Sequence, residues 1–277
     1  MIAYLLGGAA VYGLVVGGLY LAQDGMLFPR EAARHPTLPL PEGAERLRLA
    51  TPEGPAIVGH LLRARRGSRG LMLGFPGNAW NAQDCLAWLA QRLPDFDLVV
   101  FHYRGYHPSE GEPSERALFA DAELIYDVAI KGLEPERTYA FGASLGSGVA
   151  SYLARVRPLD GLVLVTPFDS VEAIARSRYF FAPVRLLLRH PFRSDLHLQG
   201  RDVPVAVIAA GLDRVVPWER TQALVQKLRR PVLVETIPGV SHGGIYDSPL
   251  MDRALRRALA ALERAHEPFE GGDVVTL

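Results

Sequence analysis

Gly142-Ala143-Ser144-Leu145-Gly146 reads G-x-S-x-G, a spacing that carries chemical meaning when a strand precedes the serine and a helix follows it. Both flanks fit. Thr138-Tyr139-Ala140-Phe141 is a short apolar, aromatic run suited to a buried strand. From Ser147 to Arg157, Val149, Tyr152, Leu153 and Val156 recur at helical spacing. A serine on such a strand-to-helix turn exposes its hydroxyl above the sheet, and the flanking glycines relieve the crowding of the tight connection. A glycine-rich turn that merely holds a serine would share the five residues but has no need of those flanks.

A serine hydroxyl is a weak nucleophile until a base takes its proton, and the base must be held in one tautomer by an acid. After an elbow serine these partners follow in the order acid, then histidine. Val205–Ala209 reads as a strand, and Gly211-Leu212-Asp213 puts a carboxylate just past its end. Val232–Ile237 reads as the next strand, and Pro238-Gly239-Val240-Ser241-His242-Gly243-Gly244 puts an imidazole on the loop after it. Asp213 is preferred over Asp169, which stands where a helix-capping residue would. His242 is preferred over His102 and His107, which flank an earlier loop. An acyl transfer also needs donors for the developing oxyanion. The N–H of Leu145, next after the serine, is one; the second is expected from Asn78, with Ala79 as the alternative, on the loop after the third strand. Gly146-Ser147-Gly148 only loosely echoes a dinucleotide-binding loop, since Ser151 stands at the third glycine and no G-K-[ST] follows.

These groups converge only if the strands that carry them are parallel neighbours. Strands are expected at Arg46–Ala50, Ala56–Arg63, Leu71–Phe75, Leu98–Phe101, Thr138–Phe141, Gly161–Val165, Val203–Ala209 and Val232–Ile237. Helices are expected around Cys85–Leu93, over Ser114–Lys131 and Ser147–Arg157, and finally over Met251–Ala265, with a short frayed tail from Glu267. Continuously apolar strands alternating with helices argue for an α/β fold: a mostly parallel central sheet with helices on both faces. Residues 169–200 are too many for an ordinary connection. They contain Tyr179-Phe180-Phe181-Ala182-Pro183-Val184-Arg185-Leu186-Leu187-Leu188 and read as a small helical cap whose apolar side lines a substrate pocket, with Phe180 and Phe181 as candidate substrate contacts; a plain surface helix is the other reading.

The N-terminus differs in kind from the rest. Ile2 to Gln23 holds no charged residue, which meets the ~20 residues needed to cross the hydrocarbon layer as a helix. No basic region precedes the run and no A-x-A site follows it, so a retained single-pass anchor is expected over residues 1–25 rather than a cleaved signal peptide. Tyr20 suits an interfacial anchor, and Ala9, Gly13 and Gly17 form a small-residue row. Orientation has little signal: Arg30 and Arg34 follow the helix, but so do Asp24 and Glu31. Residues 26–44, with Pro29, Pro36, Pro39 and Pro41, read as a stiff linker to a hydrolytic domain over 45–277.

Bulk composition narrows the classes further. At 277 residues, 49% hydrophobic and 22% charged, the chain can bury a sizeable core. Thirty basic and thirty acidic residues give a formal charge of zero, which offers nucleic acid no electrostatic footprint. The lone Cys85 excludes an intrachain disulfide and a Cys-based zinc site, no H-E-x-x-H occurs, and the eight histidines do not cluster at ligand spacing, so neither metal nor cofactor is expected.

Taken together, the chain resembles an α/β-hydrolase, and more narrowly the membrane-tethered α/β-hydrolase-domain serine hydrolases with one N-terminal helix and a short cap. Tyr103-Arg104-Gly105-Tyr106-His107-Pro108-Ser109-Glu110-Gly111-Glu112-Pro113-Ser114-Glu115 is close to that group's Y-R-G-Y-G-x-S-x-G-x-P-S-E loop. Thr166-Pro167-Phe168 is similar to its S-P-F, and Asp213-Arg214-Val215-Val216-Pro217 to its D-x-x-V-P. The chain departs from it at the oxyanion loop, where the group has H-G-N-A-G-N and this chain has Pro76-Gly77-Asn78-Ala79-Trp80-Asn81; Trp80 becomes a candidate substrate contact. His107 stands where the group has Gly. The resemblance implies ester or thioester hydrolysis, in a group that includes lysophospholipases, monoacylglycerol lipases and depalmitoylases. The apolar cap and anchor point to an acyl-chain or lipid-like substrate. A serine peptidase of the same fold and a non-catalytic membrane scaffold are the alternatives.

Overall fold

Gly161–Val165 is apolar at every position, so a strand made of it needs a cover on each face. The computed structural model supplies both covers. It describes residues 2–266; the tail from Glu267, expected to fray, lies outside them. The chain opens with α1 (Ile2–Leu27), then β1 (Glu45–Ala50), β2 (Ala56–Leu62), β3 (Leu71–Phe75), α2 (Ala82–Arg92), β4 (Asp97–Phe101) and α3 (Glu115–Leu133). The second half runs β5 (Thr138–Ala143), α4 (Leu145–Val156), β6 (Gly161–Val165), α5 (Val171–Arg178), α6 (Val184–Leu187), α7 (Ser194–Leu198), β7 (Val205–Ala210), α8 (Trp218–Val225), β8 (Pro231–Ile237) and α9 (Pro249–Arg264).

One eight-stranded sheet takes the order β1-β2-β4-β3-β5-β6-β7-β8. Its first two strands are antiparallel to their neighbours, and β4 through β8 run parallel. The fold expected from the alternation of strands and helices is the one observed. Leu162 and Leu164 pack into the layer built by α3 and α4, whereas Val163 and Val165 pack into the layer built by α2 and α9. β7 starts at Val205 rather than Val203 because Pro204 has no N–H to give the ladder. Ser114, Ser170 and Ser248 cap α3, α5 and α9 through their side chains, which sets where these helices begin. The three short helices α5, α6 and α7 occupy the long insertion between β6 and β7.

Several histidines are buried without ion partners. Desolvation holds His102 at about 4, with His60 and His107 adding to the effect, and holds His197 at about 4, with Arg155 adding to it. Both stay neutral in the fold, whereas the unfolded chain protonates them below about 6.5. Their contribution is therefore fully present above pH 6.5 and is lost as pH falls toward 4. Urea melts between pH 8 and 4.5 are expected to show stability falling below pH 6.5, by on the order of 3 kcal/mol for His102 at the acid end. His102→Gln should flatten that slope; an unchanged slope would remove His102 as its source.

Candidate active site

Ser144 sits between β5 and α4 with φ 49 and ψ −115, a positive-φ conformation that a side-chain-bearing residue rarely adopts. The turn is held from outside: the Ser144 N–H donates to Val165 O at 2.9 Å, so the neighbouring strand fixes its height. Gly146 is obligatory for packing, because a Cβ there would lie 2.0 Å from Phe75 O. α4 has no side-chain cap at its start, which leaves its first N–H groups and the positive end of its dipole directed around Ser144.

The other two groups arrive on the loops after β7 and β8. His242 Nε2 lies 2.9 Å from Ser144 Oγ, and His242 Nδ1 lies 2.7 Å from Asp213 Oδ2. Asp213 is itself positioned by the backbone: its Oδ1 accepts from the N–H groups of Val215 at 2.9 Å and Val216 at 2.8 Å. That leaves Oδ2 for the imidazole. Its side chain is 4% exposed and that of His242 17%, so the pair is sheltered from water but open on the serine side. With a carboxylate on Nδ1, the Nδ1–H donates and the Nε2 lone pair faces the hydroxyl. Such an array can take a proton from Ser144 and return it to a leaving group.

The alternatives weighed in the sequence stand elsewhere. Asp169 is paired with Arg220 at 3.1 Å, and the capping role belongs to Ser170 instead. His102 is buried against His60, with ring centroids 5.9 Å apart, and His107 is exposed.

The loop after β3 abuts the elbow, a Cβ added at Gly77 lying 3.7 Å from Ser144 Cβ. Among the described residues the N–H groups of Asn78 and Leu145 have no acceptor. Two groups that the sequence did not reveal orient this loop. Tyr103 Oη donates to Pro76 O at 2.7 Å, and Tyr106 Oη donates to Asn78 O at 2.9 Å. The Y-R-G-Y match was their signal, but it carried no role. Arg104 between them is buried, bonding Asp121 at 3.1 Å through Nε and pairing with Glu53. Burial raises the Asp121 carboxyl while Arg104 opposes that rise. Gly105 turns at φ +78 between the tyrosines, where a Cβ would lie 2.9 Å from Gly111 O.

The candidate substrate residues do not come together. Trp80 stacks into an aromatic cluster, its ring centroid 4.7 Å from Tyr246 and 5.8 Å from Trp88. Phe180 is 85% exposed and Phe181 43%. The inner side of the insertion is built instead by Val171, Ile174, Ala182 and Leu187, which with Leu19 and Leu27 of α1 line an apolar cavity of about 190 Å³. The two phenylalanines lie at the turn after α5 and are not among the residues lining this cavity; Phe180 instead borders a separate open groove with Arg176, Arg185 and Leu186. The cavity walls do not include Ser144. Leu27 links the two, since its carbonyl accepts from Asn78 Nδ2 at 3.0 Å. Among the described residues no group of three or more His, Cys, Asp or Glu side chains could hold a metal ion.

A family model described as the alpha/beta hydrolase fold matches residues 71–186. An uncharacterized protein of Mycobacterium tuberculosis is 36% identical over 166 residues, 58% of this chain and 59% of that one. The lysophosphatidylserine lipase ABHD12 of Danio rerio is 31% identical over 194 residues, 60% of this chain and 51% of that one. The matched stretches thus span between half and three fifths of these relatives' own length. Among solved structures, an alpha-beta hydrolase from Vibrio vulnificus aligns with TM-score 0.69 at 18% identity, covering 86% of this chain and 92% of that one. Est1E from Butyrivibrio proteoclasticus, with ferulic acid bound, aligns with TM-score 0.64 at 18% identity, covering 80% and 100%. At these identities the structures speak to the fold alone.

Proposed function

Given a chain that belongs to the α/β-hydrolase superfamily, we propose that it is a membrane-anchored serine hydrolase cleaving carboxylic esters or thioesters through an acyl-enzyme. The observation that carries this reading is the unbroken relay Ser144 Oγ, His242 Nε2, His242 Nδ1, Asp213 Oδ2, at 2.9 Å and 2.7 Å. Ser144 attacks the acyl carbonyl, and its proton passes to His242. The negative charge on the carbonyl oxygen is met by the N–H groups of Leu145 and Asn78, and removal of one such donor typically costs about 10²–10³ in turnover. Collapse of the tetrahedral species expels the alcohol or thiol, which takes the proton from His242. Water then repeats the sequence to release the acid.

α1 serves as the anchor, and residues 45–277 form the hydrolytic unit with its cap at about 169–200. An apolar cavity at the cap and relatives named as lipases support an acyl-chain or lipid-like substrate. A fluorophosphonate probe is expected to label the full-length protein at Ser144, and p-nitrophenyl palmitate to be hydrolysed as well as the acetate. No labelling would remove the enzyme; hydrolysis of acetate alone would remove the lipid-like substrate.

A further inference from the structure

A helix of 26 residues is about 39 Å long, enough to cross a hydrocarbon layer of ~30 Å. α1 is not free over that length. Tyr12 Oη donates to Phe181 O at 2.9 Å, Gln23 Nε2 donates to Leu187 O at 3.2 Å, and the Arg189 N–H donates to Gln23 Oε1 at 2.9 Å. Arg189 also pairs with Asp24 at 2.7 Å and lies over the Tyr20 ring at 4.3 Å. From Tyr12 to Leu27, roughly 22 Å of helix runs beside the cap, leaving only about 15 Å before it. The helix therefore cannot fill the hydrocarbon layer unless the cap enters with it.

The cap has the surface for this. Phe180 and Leu186 are each 85% exposed, and Phe181, whose carbonyl accepts from Tyr12 of α1, is 43% exposed. Arg176 and Arg185, both near Glu172 at 3.9 and 3.2 Å, border one groove with Phe180 and Leu186, and their aliphatic stems can lie along hydrocarbon while the guanidinium groups reach headgroups. The cavity between α1 and the cap is equally apolar. Of its polar neighbours, Gln23 is spent on the backbone, and His190 accepts the Glu115 N–H on Nδ1 at 3.3 Å while Nε2 faces Asp24 at 3.2 Å; Arg178 is exposed, so its guanidinium can stay outside the apolar space. Walls this apolar favour hydrocarbon over water.

We infer that α1 and the cap form one membrane-embedded unit, and that their shared cavity holds the acyl tail of a lipid drawn sideways from the same leaflet. The anchor is thus a wall of the binding site, and Leu27, bonded to Asn78, is where the tail meets the reacting end. Delivery of the ester to Ser144 rests on the serine hydrolase reading; occupancy of the cavity does not.

The test uses full-length protein in phosphatidylcholine nanodiscs containing a palmitoyl lysophospholipid with a diazirine in its tail, on a Ser144→Ala background to prevent turnover. Photocrosslinks are expected within residues 16–27 and 171–190. Leu19→Trp, which fills the cavity from the α1 side, should reduce them at least about fivefold. Leu21→Trp, on the face where Leu21 is 76% exposed, should leave them unchanged. With Ser144 intact, Leu19→Trp should depress hydrolysis of a long-chain ester more than that of the acetate, by about fourfold for each methylene excluded. Should Leu19→Trp fail to fold, Ala175→Phe fills the same space from the cap. Crosslinks elsewhere, or crosslinks indifferent to both filling variants, overturn the inference. Crosslinks as expected in a protein that hydrolyses no ester overturn the hydrolase reading and leave the tail site standing.

Discussion

Ser144→Ala is expected to lower kcat on p-nitrophenyl acetate by on the order of a millionfold, with KM changed by no more than about twofold. The acyl-enzyme route needs an oxygen at this position, and the adjoining groups cannot replace it. What remains should be the contribution of the oxyanion donors and of binding, about 10³–10⁴ over water. Steady-state and single-turnover assays on protein of matched melting temperature check this; a loss below about a hundredfold would mean that Ser144 is not the nucleophile. Ser144→Gly separates chemistry from architecture. At φ 49 the β-carbon is strained, at a cost of roughly 1–3 kcal/mol, whereas glycine gives back about 0.5–1 kcal/mol in chain entropy. The glycine variant should therefore be as inactive as the alanine variant yet more stable by about 1 kcal/mol.

Asp213→Asn should cost on the order of 10⁴ in kcat with little loss of stability. The surroundings decide which way the amide turns. The N–H groups of Val215 and Val216 already donate to Oδ1, so the carbonyl oxygen of the asparagine must stay there and its NH2 must face His242. An N–H donor at Nδ1 forces that nitrogen to be the acceptor and places the proton on Nε2, where it points at Ser144 and blocks proton transfer. Asp213→Ala would confuse this test by also leaving the two backbone donors unpaired. A pre-steady-state assay in which the asparagine variant acylates at the wild-type rate would sink the assigned role of Asp213.

Most of the sheet could be read from the residues because its strands are buried on both faces and therefore almost wholly apolar, as in Gly161–Val165 and Val205–Ala210. A local capping signal marked the helix start at Ser114, whereas the cap expected at Asp169 falls one residue later, on Ser170. The G-x-S-x-G turn was legible because close approach of Gly146 to Phe75 leaves no room for a side chain. Hydrophobicity alone could not say which side of the short helical insertion meets α1: the cavity there is lined by aliphatic residues such as Ile174 and Leu187, and Phe180 and Phe181 stand away from it. Nor could spacing assign Tyr103 and Tyr106, whose hydroxyls reach carbonyls 27 and 28 residues away.

The amino-acid order by itself determined the strand-and-helix alternation, the strained serine turn, and the loops that carry Asp213 and His242, since each depends on local sterics and local periodicity. The tertiary structure alone decided that an imidazole 98 positions away stands 2.9 Å from Ser144, that two tyrosines hold the loop beside it, and that α1 walls a cavity with the cap. Those are matters of which elements lie side by side, and that is set by burial of whole faces against each other, a property that no single stretch of residues carries.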